Sequence, residues 1–204
     1  MSYRDEQIFD KLSQYYSEIQ EELELVGLII ETAEKIHSNA KMIALKTALD
    51  TAFDMQKKQE IPEKAVVFTE SKRTQRYIAD ELRNAGYSED DILLFNGDFN
   101  DAMTKEIYRA WQAKNYKKTN YGRSVEYKHA IVDYFRSHSK VLIVTDAGSE
   151  GLNLQFCNTV INYDLPWNPQ KIEQRIGRCH RYGQKNTVVV MNFLNTTNFA
   201  DKRV

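Results

Sequence analysis

The chain has 204 residues, 42 % hydrophobic and 28 % charged, which suits a soluble globular protein with one sizeable core and an appended segment. No apolar run approaches the roughly 18–20 residues of a membrane span and no signal-peptide pattern opens the chain. The only cysteines, Cys157 and Cys179, fit neither a disulfide scaffold nor a zinc-site spacing, so a reducing, cytoplasmic setting is expected. The net charge of −1 hides an asymmetry, because residues 1–60 carry 7 basic and 12 acidic side chains and the remainder 21 and 17. A remainder at net +4 is too weakly basic for an extended nucleic-acid footprint, and any such contact should be local.

Residues 3 to about 36 read as a helix, with a heptad-like stripe of Ile8, Leu12, Tyr15, Ile19, Leu23 and Val26, extended by Ile29, Ala33 and Ile36. Such a stripe packs against a neighbouring domain or a partner helix. His37–Asn39 breaks it, and a second amphipathic helix over 40–58 carries Met42, Leu45, Leu49 and Phe53. Gln56 to Glu63 is a polar linker containing Pro62, so the expected division is a helical segment, 1–60, before a compact domain, 61–204.

Within that domain Lys64–Thr69 is a short buried strand. Ser71 is the N-cap of a helix reaching Asn84, with Tyr77, Ile78 and Leu82 inward and Gly86 as its stop. Ile92–Phe95 is the next buried strand and Asn96–Asp98 a tight turn. Residues 100 to about 118 form a helix with Met103, Ile107 and Trp111 on one side, and 126–137 another with Ile131 and Phe135 inward. Between them, Asn115–Arg123 interleaves cations and aromatic rings, as nucleic-acid surfaces do and as ordinary loops also do. Val141–Val144 and Thr159–Tyr163 are further buried strands, separated by the polar loop Thr145–Asn153. Asn168 caps a helix with Pro169 at its first position. On it Gln174, Arg178 and Arg181 share one face, Ile172, Ile176 and Cys179 share a packing face, and Gly177 implies a close neighbour. Asn186–Leu194 is a last buried strand; 196–204 has no readable pattern.

Alternating strands and helices predict an α/β fold with a parallel sheet. Ligand-binding residues of such sheets gather at the carboxyl ends of the strands. Thr69–Ser71, Asn96–Asp98 and Thr145–Asn153 all fall at such ends.

The strings SEGLNLQ, DLPWNPQ and QRIGRCHRYGQ, in this order and spacing between Val141 and Gln184, resemble the last motifs of the superfamily-two helicases. They look most like those of the chromatin-remodelling (SWI/SNF-type) ATPases and their bacterial relatives. The resemblance covers about 64–194, and an insertion is read between Glu106 and Tyr127. It implies a three-layer RecA-like lobe behind a bridging helical segment. It implies arginine fingers at Arg178 and Arg181, nucleotide contacts at Gly151, Asn153 and Gln174, and nucleic-acid contacts at Ser71, Lys72, Gly97 and Thr145. Glu150 stands where related helicases place a phosphate-binding arginine, so that contact does not carry over.

The chain has no G-x-x-x-x-G-K-[ST] loop, and Asp80–Glu81 lies in mid-helix rather than at a strand end. The resemblance therefore implies that ATP and Mg²⁺ are held mainly by an upstream RecA-like lobe and that these residues alone are inactive. The implied function is the second lobe of a DNA-dependent ATPase or translocase acting on duplex DNA. Two alternatives stay open, an RNA helicase or RNA-dependent ATPase and a non-catalytic nucleic-acid-binding module of the same fold.

Overall fold

The computed structural model describes residues 3–34, 39–115 and 121–194. The chain divides into two compact units, 1–40 and 41–204. The first holds one long helix, α1 (Tyr3–Glu34). Tyr15, Ile19, Leu23, Val26 and Ile29 of its apolar stripe are each at least half exposed. The expectations for the Ile8, Leu12, Ala33 and Ile36 side chains lie outside the described residues.

The second unit is built on a five-stranded, all-parallel sheet in the order β2-β3-β1-β4-β5. The strands are β1 (Ala65–Thr69), β2 (Ile92–Phe95), β3 (Val141–Thr145), β4 (Thr159–Asn162) and β5 (Val189–Asn192). The helices are α2 (Ala40–Lys58), α3 (Lys72–Asn84), α4 (Ala102–Asn115), α5 (Arg123–Ser137), α6 (Asp146–Ser149) and α7 (Pro169–Cys179). β1 and β3 are buried along their whole length, as expected for central parallel strands covered on both faces.

Side chains of a strand alternate between faces, and that period sorts the core into two layers. Val66, Phe68, Leu93, Phe95, Leu142, Val144 and Val160 meet α4 and α5 through Ile107, Tyr108, Ile131 and Phe135. Ala65, Val67, Ile92, Val141, Ile143 and Ile161 meet α2 and α3 through Met42, Leu45, Leu49, Ile78 and Leu82. The result is the three-layer α/β/α arrangement expected of a RecA-like lobe.

Several local expectations are corrected by packing. The compact body begins at 41, not 61, because Met42, Leu45, Leu49 and Phe53 put α2 inside the second core layer. Gln56, also buried, closes the amino-terminal edge by donating to the Lys64 carbonyl (2.8 Å) and the Asn158 amide oxygen (2.6 Å). Tyr77 is exposed, and the inward face of α3 is Gln75, Ile78, Ala79 and Leu82. β5 is only half buried because it is the sheet's edge strand. The Thr145–Asn153 loop contains the single turn α6, and α5 starts at Arg123. The basic, aromatic segment at 116–120 lies outside the described residues.

Gly148 in α6 explains one glycine of the loop. A Cβ there would lie 2.6 Å from the Phe95 carbonyl oxygen and 2.9 Å from the Asn96 backbone, so only glycine lets α6 approach the end of β2. Gly97 faces the same contact from the other side, at φ +83°, where an added Cβ would lie 3.4 Å from the Ala147 carbonyl oxygen. Gly148→Ala should therefore cost about 1–3 kcal/mol, because backbone must move to admit the methyl, measurable by denaturant unfolding.

Candidate functional site

The strands end together at the sheet's carboxyl edge, and α7 lies along it. Asn168 starts α7 by accepting from the Gln170 N–H at 3.0 Å, with Pro169 at the first position, as the sequence predicts. The helix ends at Cys179.

Arg175 is the most deeply held charged side chain at this edge, only 2 % exposed. Its Nε and Nη2 donate to the two carboxylate oxygens of Asp146 at 2.7 and 3.0 Å. Its Nη1 donates to the Asn162 side-chain oxygen (3.1 Å) and the Asp164 carbonyl (2.7 Å), and the guanidinium lies over the Phe68 ring at 5.1 Å. One side chain thereby ties α6, β4 and α7 together over β1. A planar fork of five donors suits this task and an ammonium does not.

Asp164 continues the network. Its carboxylate accepts from Lys41 (2.9 Å), the Thr69 hydroxyl (2.7 Å) and the Glu70 N–H (3.1 Å), joining β4's end to β1's end and to the start of α2. Burial pushes its carboxyl up, but these hydrogen bonds and the Lys41 charge outweigh it and hold the group below the usual carboxylate value.

Beside Arg175 lies an open cavity of about 460 Å³, lined by Asp146, Ser149, Glu150, Lys171, Gln174 and Arg178 among others. Arg178 is half buried, and its Nε is buried with no hydrogen-bond partner. The helix thus brings Gln174 and Arg178 to one cavity, as their spacing implies. Arg181 lies past the end of α7, so the shared helical face does not extend to it. It sits exposed on the turn 180–183, which Gln184 clamps by donating to the carbonyls of Gln155 (2.7 Å), Cys157 (3.3 Å) and Cys179 (3.3 Å). Among the described residues, no heavy atom outside α7's own backbone lies within 4 Å of a Cβ added at Gly177, so the expected close neighbour is not found there.

Gly151 and Asn153 are placed elsewhere. They line a separate cavity of about 340 Å³ with Lys128, His129 and Arg136 of α5, not the one lined by Gln174 and Arg178. Gly151 is at φ +74° and packs against Lys128. At the other strand ends, the Ser71 oxygen accepts from the Thr74 N–H (3.0 Å) and caps α3. Lys72 reaches Asp98 at 3.5 Å, linking the ends of β1 and β2 next to Gly97. Thr145 is buried, and its hydroxyl accepts from the Gly148 N–H at 3.2 Å to cap α6.

The sequence reading missed Arg175, Asp146, Asp164 and Gln184. One signal was available for Arg175. It is four residues before the buried Cys179 and so occupies the core-facing stripe, while Ile172 and Ile176 are only half buried. Both cysteines are buried and free.

Arg175→Ala would leave the Asn162 side-chain oxygen and the Asp164 carbonyl unpaired and Asp146 with Lys171 alone at 3.8 Å, and should destabilise the lobe by about 3–5 kcal/mol, with Arg175→Lys recovering only part, as read by chemical unfolding. The Asp164 contribution has a defined pH sense. A folded value below the unfolded one means that the unfolded chain binds more protons, so the stabilisation is present at neutral pH and is lost as pH falls through the acidic carboxylate range. Asp164→Asn should flatten the stability-versus-pH curve over about pH 5 to 2, measured by unfolding at each pH.

Comparison with known proteins agrees with this architecture. The model of the helicase conserved C-terminal domain matches residues 40–183. The Bacillus subtilis protein described as uncharacterized ATP-dependent helicase YqhH is 36 % identical over 167 residues, covering 82 % of this chain and 24 % of YqhH. The RNA polymerase-associated protein RapA of Vibrio cholerae is 41 % identical over 83 residues, 39 % of this chain and 9 % of RapA. This chain thus spans about a quarter of the length of YqhH and less of RapA. Among solved structures, the C-terminal part of the Fun30 ATPase domain superposes with a TM-score of 0.59 at 21 % identity, covering 82 % of this chain and 44 % of that one. Domain 2 of the Mss116p DEAD-box helicase, solved bound to an RNA duplex, gives 0.50 at 18 % identity, over 75 % of this chain and 50 % of that one. With a family model that begins where α2 begins and ends just past α7, and with the sheet order and strand-end cavity on which its motifs lie, the chain belongs to the helicase conserved C-terminal domain family.

Proposed function

We propose that the chain is the second RecA-like lobe of a DNA-dependent ATPase of the SWI/SNF type, completing an ATP site shared with an upstream lobe and translocating along duplex DNA. The observation that carries this is the half-buried Arg178, its Nε unpartnered, facing an open cavity at the strand ends. A guanidinium held there without an internal acid is available to an anion from outside the lobe. Of the two acids that line the cavity, Asp146 is already bound at both oxygens by Arg175, and Glu150 makes no ion pair with Arg178.

The cavity suits the phosphate end of a nucleotide. Lys171, Gln174 and Arg178 supply donors on one wall, and the open side admits a second protein surface. In this reading Arg178 and Arg181 meet the charge developing on the transferred phosphoryl group, and Gln174 orients the nucleotide. Arg181 is exposed on the clamped turn beyond α7. Among the described residues no three His, Cys, Asp or Glu side chains come together, and the proposal assigns Mg²⁺ and the phosphate cradle to the upstream lobe. Gly151 and Asn153 belong to the ribose end of the same nucleotide in this proposal. Closure would have to bring their cavity and the arginine cavity to one ligand.

On the nucleic-acid side, the proposal gives Lys72 and the Gly97 backbone the direct phosphate contacts. Ser71 and Thr145 act by fixing the starts of α3 and α6, since both hydroxyls already serve as caps. The segment 1–40 bridges the two lobes, its exposed apolar stripe awaiting the upstream partner, and the protein works in the cytoplasm.

The test is ATP hydrolysis by the full-length protein that carries this lobe, with duplex DNA, with RNA and with neither. Arg178→Ala and Arg181→Ala should each lower stimulated turnover by roughly 10³–10⁵ while nucleotide binding survives. Exposed Arg181→Ala should leave stability within about 0.5 kcal/mol. Turnover indifferent to both substitutions would overturn the finger assignment, and stimulation by RNA in place of duplex DNA would redirect the substrate.

A further inference from the structure

The positive charge of the lobe is not spread over it. Residues 102–137 carry 8 basic and 3 acidic side chains, net +5, whereas the rest of 61–204 carries 13 and 14. Lys117 and Lys118 lie outside the described residues, and the other six cations belong to one helical hairpin, α4 and α5, which pack on each other through Tyr108 and Tyr127, stacked at 3.8 Å.

The hairpin's acids are mostly spent inside it. Glu126 accepts from the Tyr108 hydroxyl at 2.7 Å, and Asp133 accepts from the Trp111 indole at 2.8 Å and from Arg136 at 3.4 Å; Glu106 is the third. Its cations are not spent in this way. Among the described residues, Lys105, Arg109, Lys114, Arg123 and Lys128 make no ion pair. A folded domain that needed these charges only for solubility would gain by interspersing acids among them. Beside them runs a short stack of rings. His129 lies between Tyr121 (5.2 Å) and Trp111 (6.5 Å), with Tyr121 58 % exposed.

The position of the hairpin selects the partner. A cavity of about 310 Å³ joins Phe99 and Asn100, just past the Gly97 turn at the end of β2, to Lys105 of α4 and Arg123 and Ser124 of α5. The cationic start of the hairpin thus adjoins the strand-end edge through Phe99 and Asn100, which follow directly on the Gly97 turn. A polyanion passing the Gly97 turn would meet the cavity lined by Lys105 and Arg123, with the further cations of α4 and α5 on the same hairpin. Phosphates repeated along a backbone need this serial placement; a single small anion does not.

We infer that the α4–α5 hairpin is a second nucleic-acid contact, in which Lys105, Arg123 and Lys128 hold the phosphodiester backbone beyond the stretch gripped at the strand ends and Tyr121 lies against it. This rests on the proposed nucleic-acid function of the lobe, and it explains how a chain of net charge −1 can hold a polyanion: the charge is local.

The test is the anisotropy of a labelled short DNA duplex titrated with the 204-residue chain at several salt concentrations. Arg123→Glu with Lys128→Glu should weaken binding about tenfold or more and lower the salt slope by about 2. Lys57→Glu with Lys58→Glu, at the end of α2 on the amino-terminal side of the sheet, changes the net charge equally and should leave the slope unchanged. Arg123→Gln with Lys128→Gln gives the same reading at lower risk to folding, with circular dichroism confirming the helix content of each variant. Equal losses in the hairpin and α2 variants, or no loss in the hairpin variants, would overturn the inference. Lys72→Glu separates it from the strand-end reading. Loss there with neutral hairpin variants retains the strand-end contact alone, the reverse retains the hairpin alone, and no binding by the unmodified chain removes both.

Discussion

The carboxyl edge of this lobe depends on one buried arginine. Arg175 occupies a position on α7 that an apolar side chain would fill in most amphipathic helices, and it is accommodated because each of its three nitrogens finds an acceptor. Asp146 supplies both oxygens, Asn162 a third acceptor and the Asp164 carbonyl a fourth. Burying a charge pair is neutral at best as a source of stability. What such a pair supplies is position, since a bidentate fork permits one relative placement of α6, β4 and α7.

That placement bears on the neighbouring arginine. Three residues along the same helix, Arg178 is left with an unpartnered Nε beside the cavity, while Asp146 in the cavity wall is turned to Arg175. Two arginines on one helix thus have opposite fates. One is neutralised and structural, and the other stays available. The division follows from the direction in which each side chain leaves α7, and it does not depend on intrinsic differences between the residues. Asp164 extends the same frame to β1 and α2, so the ends of three neighbouring strands and the start of α2 are coupled through hydrogen bonds of 2.7–3.1 Å.

Charge is organised on a larger scale by the same separation. The strand-end edge is locally balanced, with Lys72 on Asp98 and Arg175 on Asp146, whereas the α4–α5 hairpin carries cations that its own acids do not meet.

Strand existence and order along the chain were legible from the sequence, because buried parallel strands are near-continuous apolar runs bounded by turn residues. Ser71, Asn168, Pro169 and Gly86 marked helix ends through local chemistry that needs no tertiary partner. The family was legible too, from motifs whose order is a property of the chain. Properties that depend on distant partners were not. Whether α2 belonged to the bridge or to the core turned on surfaces of β1 and α3 that meet it only after folding. The seven-residue spacing from Gln174 to Arg181 could not show that the helix stops at Cys179, where Gln184 clamps the following turn. Gly148 and Gly177 look alike in sequence, yet a Cβ added at the first would collide with the Phe95 backbone, while one added at the second would meet open space among the described residues. By itself the sequence determined the elements and their family, because these follow from short-range periodicity and capping. Only the tertiary structure decided which arginine is buried, which cavity receives Asn153 and which cations lack acids, because each depends on groups that are far apart in the chain and adjacent only in the fold.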